Sequence, residues 1–237
     1  MGRIILITGG AKSGKSTEAE RQVKAASFGK VAYIATQANQ VSDAETEHNI
    51  ALHRQQRPAE WQTIEEYQAL HEVIAEADRE YHFEGYLLDC ITLWTSNLFF
   101  DELPQFIMEK YRLENPPTFD KYDQHIEELT AEDITYFENY LKIATKDLLS
   151  QMRKTDATFW LVTNEIGLGV VPHTKQGRLY REWLGKVNQY IAQAADEVYL
   201  TVSGIPIKIK EGDKKNENKT INDSCAIISS YCHRSKH

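Results

Sequence analysis

The chain has too few cysteines for a disulfide framework. Cys90, Cys225 and Cys232 are scattered over 237 residues, and their spacing suits neither paired bridges nor a zinc site. A reducing compartment, the cytoplasm, is the natural setting. Long apolar runs are also absent. None approaches the ~18 residues that cross a bilayer, so no membrane span is expected. The opening MGRIILITGG lacks both a long apolar core and a small-residue cleavage site, which argues against a secretory leader. There is no basic excess either. Lys and Arg number 27 against 35 Asp and Glu, whereas a nucleic-acid binder carries a basic face, so no nucleic-acid partner is expected. What remains, 41% hydrophobic and 26% charged, is an ordinary globular balance. At about 150 residues per domain, the length suits one large α/β domain with appendages.

The net charge of −8 is concentrated. Between Asp101 and Glu138 there are 11 acidic residues against 3 basic ones, so the rest of the chain is neutral. Pro104, Pro116 and Pro117 fall in the same stretch, which reads as an irregular, solvated insertion over about 101–138. The alternative is a lid or a partner-docking surface. From residue 211 onward the text turns polar, reading as an extension that is either partly disordered or a hairpin added to the sheet edge. Asn218 and Asn222 lie in glycosylation sequons, which without a leader are chance matches. The ordered unit is therefore residues 1–210, a single domain.

Within it, Arg3–Thr8, Val31–Thr36, Tyr86–Cys90 and Thr158–Thr163 are short apolar runs, the pattern of strands buried on both faces. A short strand near Trp61–Ile64, and strands at Glu197–Ser203 and Ile205–Lys210 about a turn at Gly204–Ile205, complete the set. Helices are expected from about Lys15, from Ser42/Asp43 to about Gln56, from about Glu66, over Ile134–Arg153 and over Thr174–Ala195. Strands alternating with helices predict an α/β fold, a mainly parallel sheet covered on both faces.

Gly9-Gly10-Ala11-Lys12-Ser13-Gly14-Lys15-Ser16 fits the G-x-x-x-x-G-K-[ST] phosphate-binding loop, here between an apolar strand and a helix. The glycines let backbone N–H groups turn inward onto a polyphosphate, and the helix start adds its positive dipole end. Lys15 is expected to reach the β- and γ-phosphates, and the Ser16 hydroxyl to bind Mg²⁺. A second metal carboxylate is expected at Asp89, because an acid ending a buried strand faces the ligand crevice. The other reading of Asp89 is the N-cap of a helix starting at Ile91. Glu165, after another apolar run, is a candidate for orienting water or substrate. The loop alone does not choose among ATPase, kinase and nucleotidyl transferase.

Further blocks narrow the choice. The loop ITGGAKSGKS, the run VAYIAT, the segment HRQQRPAEW (His53–Trp61), YLLDCITLWTSNL (Tyr86–Leu98), VTNEIGLGVVP (Val162–Pro172), GRLYREWLGKVNQYIAQAADEVYL (Gly177–Leu200) and SGIPIKIK (Ser203–Lys210) stand in order along the chain. Together they resemble the bifunctional adenosylcobinamide kinase/adenosylcobinamide-phosphate guanylyltransferase family of cobalamin biosynthesis, over about residues 3–100 and 140–210. The resemblance implies a P-loop fold and a propeller-shaped trimer. It also implies that His53 attacks the α-phosphate of GTP, leaving a guanylyl-histidine from which GMP passes to adenosylcobinamide phosphate; a neutral imidazole suits such covalent catalysis. In the kinase half, a hydroxyl of adenosylcobinamide attacks the γ-phosphate of ATP or GTP. Ala35, Thr36, Gln37 and Glu65 are placed in the nucleotide pocket, and Arg57 either clamps phosphate or ends a helix. Phe99, Phe100, Tyr111, Phe119 and Tyr122 either touch the corrinoid or cover an edge or subunit contact.

Three departures stand out. Thr46 and Asn49 occupy positions where the family has Met and Arg, and Lys12 replaces an Arg in the loop, keeping charge but not fork geometry. Two rival readings remain: a kinase that leaves His53 unused, and a non-catalytic nucleotide-binding regulator.

Overall fold

The structure, a computed structural model, describes residues 1–37, 58–115 and 118–212. The expected helix at 42–56, with His53 and Arg57, and the polar extension from residue 213 lie outside the described residues.

The first strand, β1 (Arg3–Gly9), takes the run IILI into the middle of a seven-stranded sheet. Its partners are β2 (Val31–Ala35), β3 (Gln62–Glu65), β4 (Gly85–Asp89), β5 (Thr158–Asn164), β6 (Glu197–Val202) and β7 (Ile205–Lys210), in the order β3-β2-β4-β5-β1-β6-β7. All neighbours pair in parallel except β7, which returns antiparallel on β6. Ser203 and Gly204 both have positive φ, 50° and 82°, as a two-residue hairpin turn requires. The expected strands are all present, and the fold is a P-loop-like α/β fold.

Period-two alternation splits the apolar strand residues between two faces. One face carries Ile4, Leu6, Ile34, Tyr86, Leu88, Phe159 and Leu161. It is covered by α2 (Leu70–Tyr81), α3 (Ile91–Tyr111), α5 (Ala131–Lys154) and α6 (Lys175–Ala194), with α4 (Phe119–Glu127) beyond them. The other face carries Ile5, Ile7, Tyr33, Leu87, Trp160 and Val162, packed on Ala19 and Val23 of α1 (Lys15–Ala26).

The stretch 101–138 differs from its expected irregular form. α3 runs straight through Pro104 to Tyr111, α4 follows, and α5 opens at Ala131. A proline inside a helix costs about 3 kcal/mol, but Phe99, Leu103 and Ile107 are wholly buried, and each such side chain returns about 1.5–3 kcal/mol. Phe137 of α5 anchors this layer, its ring 5.7 Å from Phe99, 4.9 Å from Phe106 and 5.4 Å from Trp183. α5 starts from a capping box in which Thr130 and Asp133 satisfy each other's backbone N–H groups. Asp101, Glu109, Asp123, Glu127, Glu128 and Glu132 lie on the outer surface of these packed helices, while Asp133 is buried at its cap. Phe99 accordingly belongs to the core, neither a corrinoid contact nor an edge cover. Tyr111 and Tyr122 pack against that core, and Phe100 remains 45% exposed.

Candidate active site

The parallel register brings the carboxyl ends of the central strands to one edge. Gly9 of β1 lies opposite Asn164 of β5 and Thr201 of β6, and Asp89 of β4 lies opposite Ala35 of β2 and Val162 of β5. This is the edge where open α/β sheets take their ligands.

The phosphate loop leaves β1 at Gly9 and feeds α1. Lys12 and Gly14 have φ of 54° and 93°, so successive N–H groups turn to one side, making an anion-binding concavity. The Ser13 N–H donates to the Gly10 carbonyl at 3.2 Å, and the Glu18 N–H to the Gly14 carbonyl at 2.9 Å, starting the helix. A Cβ at Gly9 would stand 2.5 Å from Ser13 Oγ and from the Thr201 carbonyl, whereas one at Gly10 would meet nothing within 4 Å. Gly9 is thus a packing requirement, and the space over Gly10 is open. The loop is held from behind by the β6–β7 turn: the Gly204 N–H donates to the Ser13 carbonyl at 2.8 Å, and Gly14 rests on Gly204.

Lys15 folds back over the loop and donates to the Gly10 carbonyl at 3.2 Å. It is only 9% exposed. Burial pushes its ammonium below the ordinary lysine pKa, while Cys90 and Asp89 pull the other way. Asp89, half-buried at the end of β4, accepts a hydrogen bond from Tyr33 Oη at 3.1 Å. The N-cap of α3 is Cys90, whose Sγ accepts from the Leu93 N–H, so the alternative reading of Asp89 as that cap does not hold. Ser16, in the first turn of α1, and Asp89 offer the hard oxygen atoms that magnesium prefers. Among the described residues no group of three or more His, Cys, Asp or Glu stands together to hold an ion. These two oxygens therefore suit a magnesium that phosphate and water help to coordinate, and the donor set fits.

The remaining expected residues divide. Ala35 and Glu65 face each other at the ends of β2 and β3, and Gln37 follows half-buried. Thr36, which the resemblance places in the nucleotide pocket, is fully buried. Its hydroxyl donates to the Cys90 carbonyl at 2.7 Å and accepts from the Cys90 N–H at 3.0 Å, while Asn97 Nδ2 donates to its carbonyl at 2.7 Å. Its side chain thus braces the backbone after Asp89. Glu165 Oε1 accepts from the Gly167 N–H at 3.0 Å, and the Glu165 N–H donates to the Gly9 carbonyl at 3.0 Å. His53 and Arg57 lie outside the described residues.

Sequence reasoning missed a hydrogen-bonded ring beneath this edge. The Asn164 N–H donates to Thr92 Oγ1 at 2.7 Å; Thr92 and Thr163 hydroxyls lie 3.3 Å apart; Thr163 donates to Asn188 Oδ1 at 2.8 Å; and Asn188 Nδ2 returns to the Asn164 carbonyl at 3.1 Å. Since the Thr163 proton goes to Asn188, Thr92 is the donor to Thr163. The ring locks the ends of β5 and α3 to α6. The only sequence signal was polar residues inside otherwise apolar elements.

Comparison with known proteins settles the lineage. A family model described as cobinamide kinase / cobinamide phosphate guanyltransferase matches residues 5–209. The chain belongs to this family. Two relatives named bifunctional adenosylcobalamin biosynthesis protein CobU are similar over 207 residues, 87% of this chain and 99% of theirs. The Escherichia coli protein is 39% identical and the Salmonella typhimurium protein 38% identical. The Pseudomonas aeruginosa bifunctional adenosylcobalamin biosynthesis protein CobP is 36% identical over 208 residues, 86% of this chain and 96% of its own. As a cobinamide kinase / cobinamide phosphate guanyltransferase family member, the chain matches across 101–138 as well as around the loop.

Proposed function

We infer that this chain carries out both reactions of its family. In the first, the terminal hydroxyl of adenosylcobinamide attacks the γ-phosphorus of ATP or GTP, and the nucleoside diphosphate leaves. In the second, a ring nitrogen of His53 attacks the α-phosphorus of GTP and pyrophosphate departs, leaving a guanylyl-histidine. A phosphate oxygen of adenosylcobinamide phosphate then attacks the same phosphorus, the P–N bond breaks, and adenosyl-GDP-cobinamide forms. The observation that carries the reading is the meeting of the phosphate loop, Lys15 and Asp89 at one sheet edge in a chain of this family.

The loop amides from Gly9 to Ser16, including Ala11, Lys12 and Ser13, cradle the phosphates, and Lys15 takes the charge that spreads over the transferring group. Ser16 and Asp89 would hold magnesium, which would supply charge neutralisation to the phosphates. Ala35, Thr36, Gln37, Arg57 and Glu65 enclose the nucleotide, with Thr36 acting through the backbone it braces. The unit is a single domain over residues 1–210, working in the cytoplasm as a homo-oligomer, a trimer by resemblance. Ile205, Ile207 and Ile209, exposed along the edge strand β7, support such a contact. Among the described residues no helix is long and apolar enough to cross a membrane.

The test is covalent labelling. GTP labelled at the α-phosphate is incubated with Mg²⁺ and protein, beside γ-labelled GTP and a His53→Ala sample, and run on a denaturing gel. Retention of the α-label alone, acid-labile, base-stable and lost in the variant, is the expected result. No retained label in folded, GTP-binding protein would overturn guanylyl transfer through His53 and leave a kinase alone.

A further inference from the structure

Tyr33 sits two residues before the end of β2, 3% exposed, on the face that looks toward α1. The β2–β4 register sets Tyr33 opposite Leu87 and Ala35 opposite Asp89, so Tyr33 and Asp89 project from the same face of adjacent strands. The Tyr33 hydroxyl reaches along that face to donate to Asp89 Oδ2 at 3.1 Å. A carboxylate has a broad terminal torsion, and one donor on one oxygen fixes its plane. Lys15 is near enough for Asp89 to act on its charge. Even so, among the described residues no ion pair joins the two, and the ammonium donates to the Gly10 carbonyl instead.

We propose that Tyr33 is a positioning residue that holds the Asp89 carboxylate off Lys15, keeping the carboxylate open to magnesium and the ammonium open to phosphate before either arrives. Without the phenol, Asp89 turns to Lys15, and every incoming magnesium nucleotide has to separate a largely buried ion pair, whose partners are costly to leave alone. The proposal rests on the reading of Lys15 and Asp89 as phosphate and magnesium ligands. Tyr33 acts through Asp89 and contacts no reacting atom.

Tyr33→Phe removes the hydroxyl and keeps the ring. Binding of a non-hydrolysable GTP analogue is followed by calorimetry across a series of Mg²⁺ concentrations, for wild type, Tyr33→Phe, Asp89→Asn and the double variant. The nucleotide-free Tm of Tyr33→Phe stays at or above that of wild type, while the Mg²⁺ midpoint rises about tenfold, the scale of one hydrogen bond to a charged group. In the Asp89→Asn background there is no carboxylate to hold, and adding Tyr33→Phe moves the midpoint less than about twofold. An unmoved midpoint in Tyr33→Phe, with or without a lower Tm, overturns the proposal, as does an equal shift in both backgrounds. If Asp89→Asn alone leaves the midpoint in place, the metal role of Asp89 falls and takes the proposal with it, an outcome distinct from failure of Tyr33→Phe alone.

Discussion

The two faces of the sheet do different work. One is buried under α2, α3, α5 and α6 and holds most of the large apolar side chains, Phe99, Phe137, Phe159 and Trp183 among them. The other meets a single helix, α1, among the described residues, and carries Tyr33, Lys15 and Asp89 toward its carboxyl edge. Large apolar side chains are concentrated on the first face, and the charged side chains of the site lie on the second. Strand alternation makes this separation possible: Leu88 and Asp89 are neighbours in sequence, yet one is core and the other site. The same strand can therefore tolerate a change for activity without loss of packing, and the reverse.

Substitutions on either face sharpen that division. Lys15→Ala, on the chemical face, is expected to lower kinase kcat/KM by about a thousandfold, measured with cobinamide and ATP or GTP. Because a buried charge is removed, its nucleotide-free Tm does not fall. Phe137→Ala, on the packed face, is expected to cost about 3–5 kcal/mol, read as a Tm lower by about 6–20 °C. Its kcat well below that Tm stays near wild type; a large kcat loss there would break the division. Asn188→Ala opens the ring that joins the two sides and leaves buried partners unsatisfied, costing about 1–3 kcal/mol. A raised KM for nucleotide accompanies it, as Asn164 loosens beside Gly9.

The smallest effect concerns acid. Burial raises the Asp133 pKa, but the Lys110 ammonium and the Thr130 N–H and hydroxyl outweigh it, so the carboxyl titrates below its ordinary value. A depressed folded value means the contribution is complete above the unfolded pKa and lost as pH falls through the folded one. Asp133→Ala is therefore expected to cost about 1 kcal/mol near neutral pH, the scale of a helix cap. Denaturant midpoints of variant and wild type should draw together as pH falls below the unperturbed aspartate value.

Much of this was legible from sequence where local pattern and burial agree. IILI, VAYIA and FWLVT are apolar without interruption, so they read as central parallel strands, and the glycine-rich loop between β1 and α1 reads as a phosphate site. Residues 101–138 misled because three prolines and 11 acids are local signals. What decides the segment is burial of Leu103, Ile107 and Phe137 against helices distant in sequence. Within the site, Asp89 was legible from its position at a strand end. Tyr33 was not, because its meaning depends on which strand lies beside β2, and the Asn188 ring closes only once α3, β5 and α6 have met. The Thr36 hydroxyl was invisible for the same reason: its partners are the N–H and carbonyl of Cys90, the helix cap just past the end of β4.

The contact between Ser13 and Gly204 has a bearing on how the protein is made. A chain growing from the ribosome exposes the phosphate loop long before the turn that braces it, because Ser13 precedes Gly204 by most of the domain. β1 likewise waits for both of its neighbours, β5 and β6. Nucleotide thus meets a braced loop only in a chain that has reached β7, and not in earlier fragments. A fragment that stops before β5 has the whole loop sequence and no braced loop, and it leaves both flanks of β1 without a neighbour.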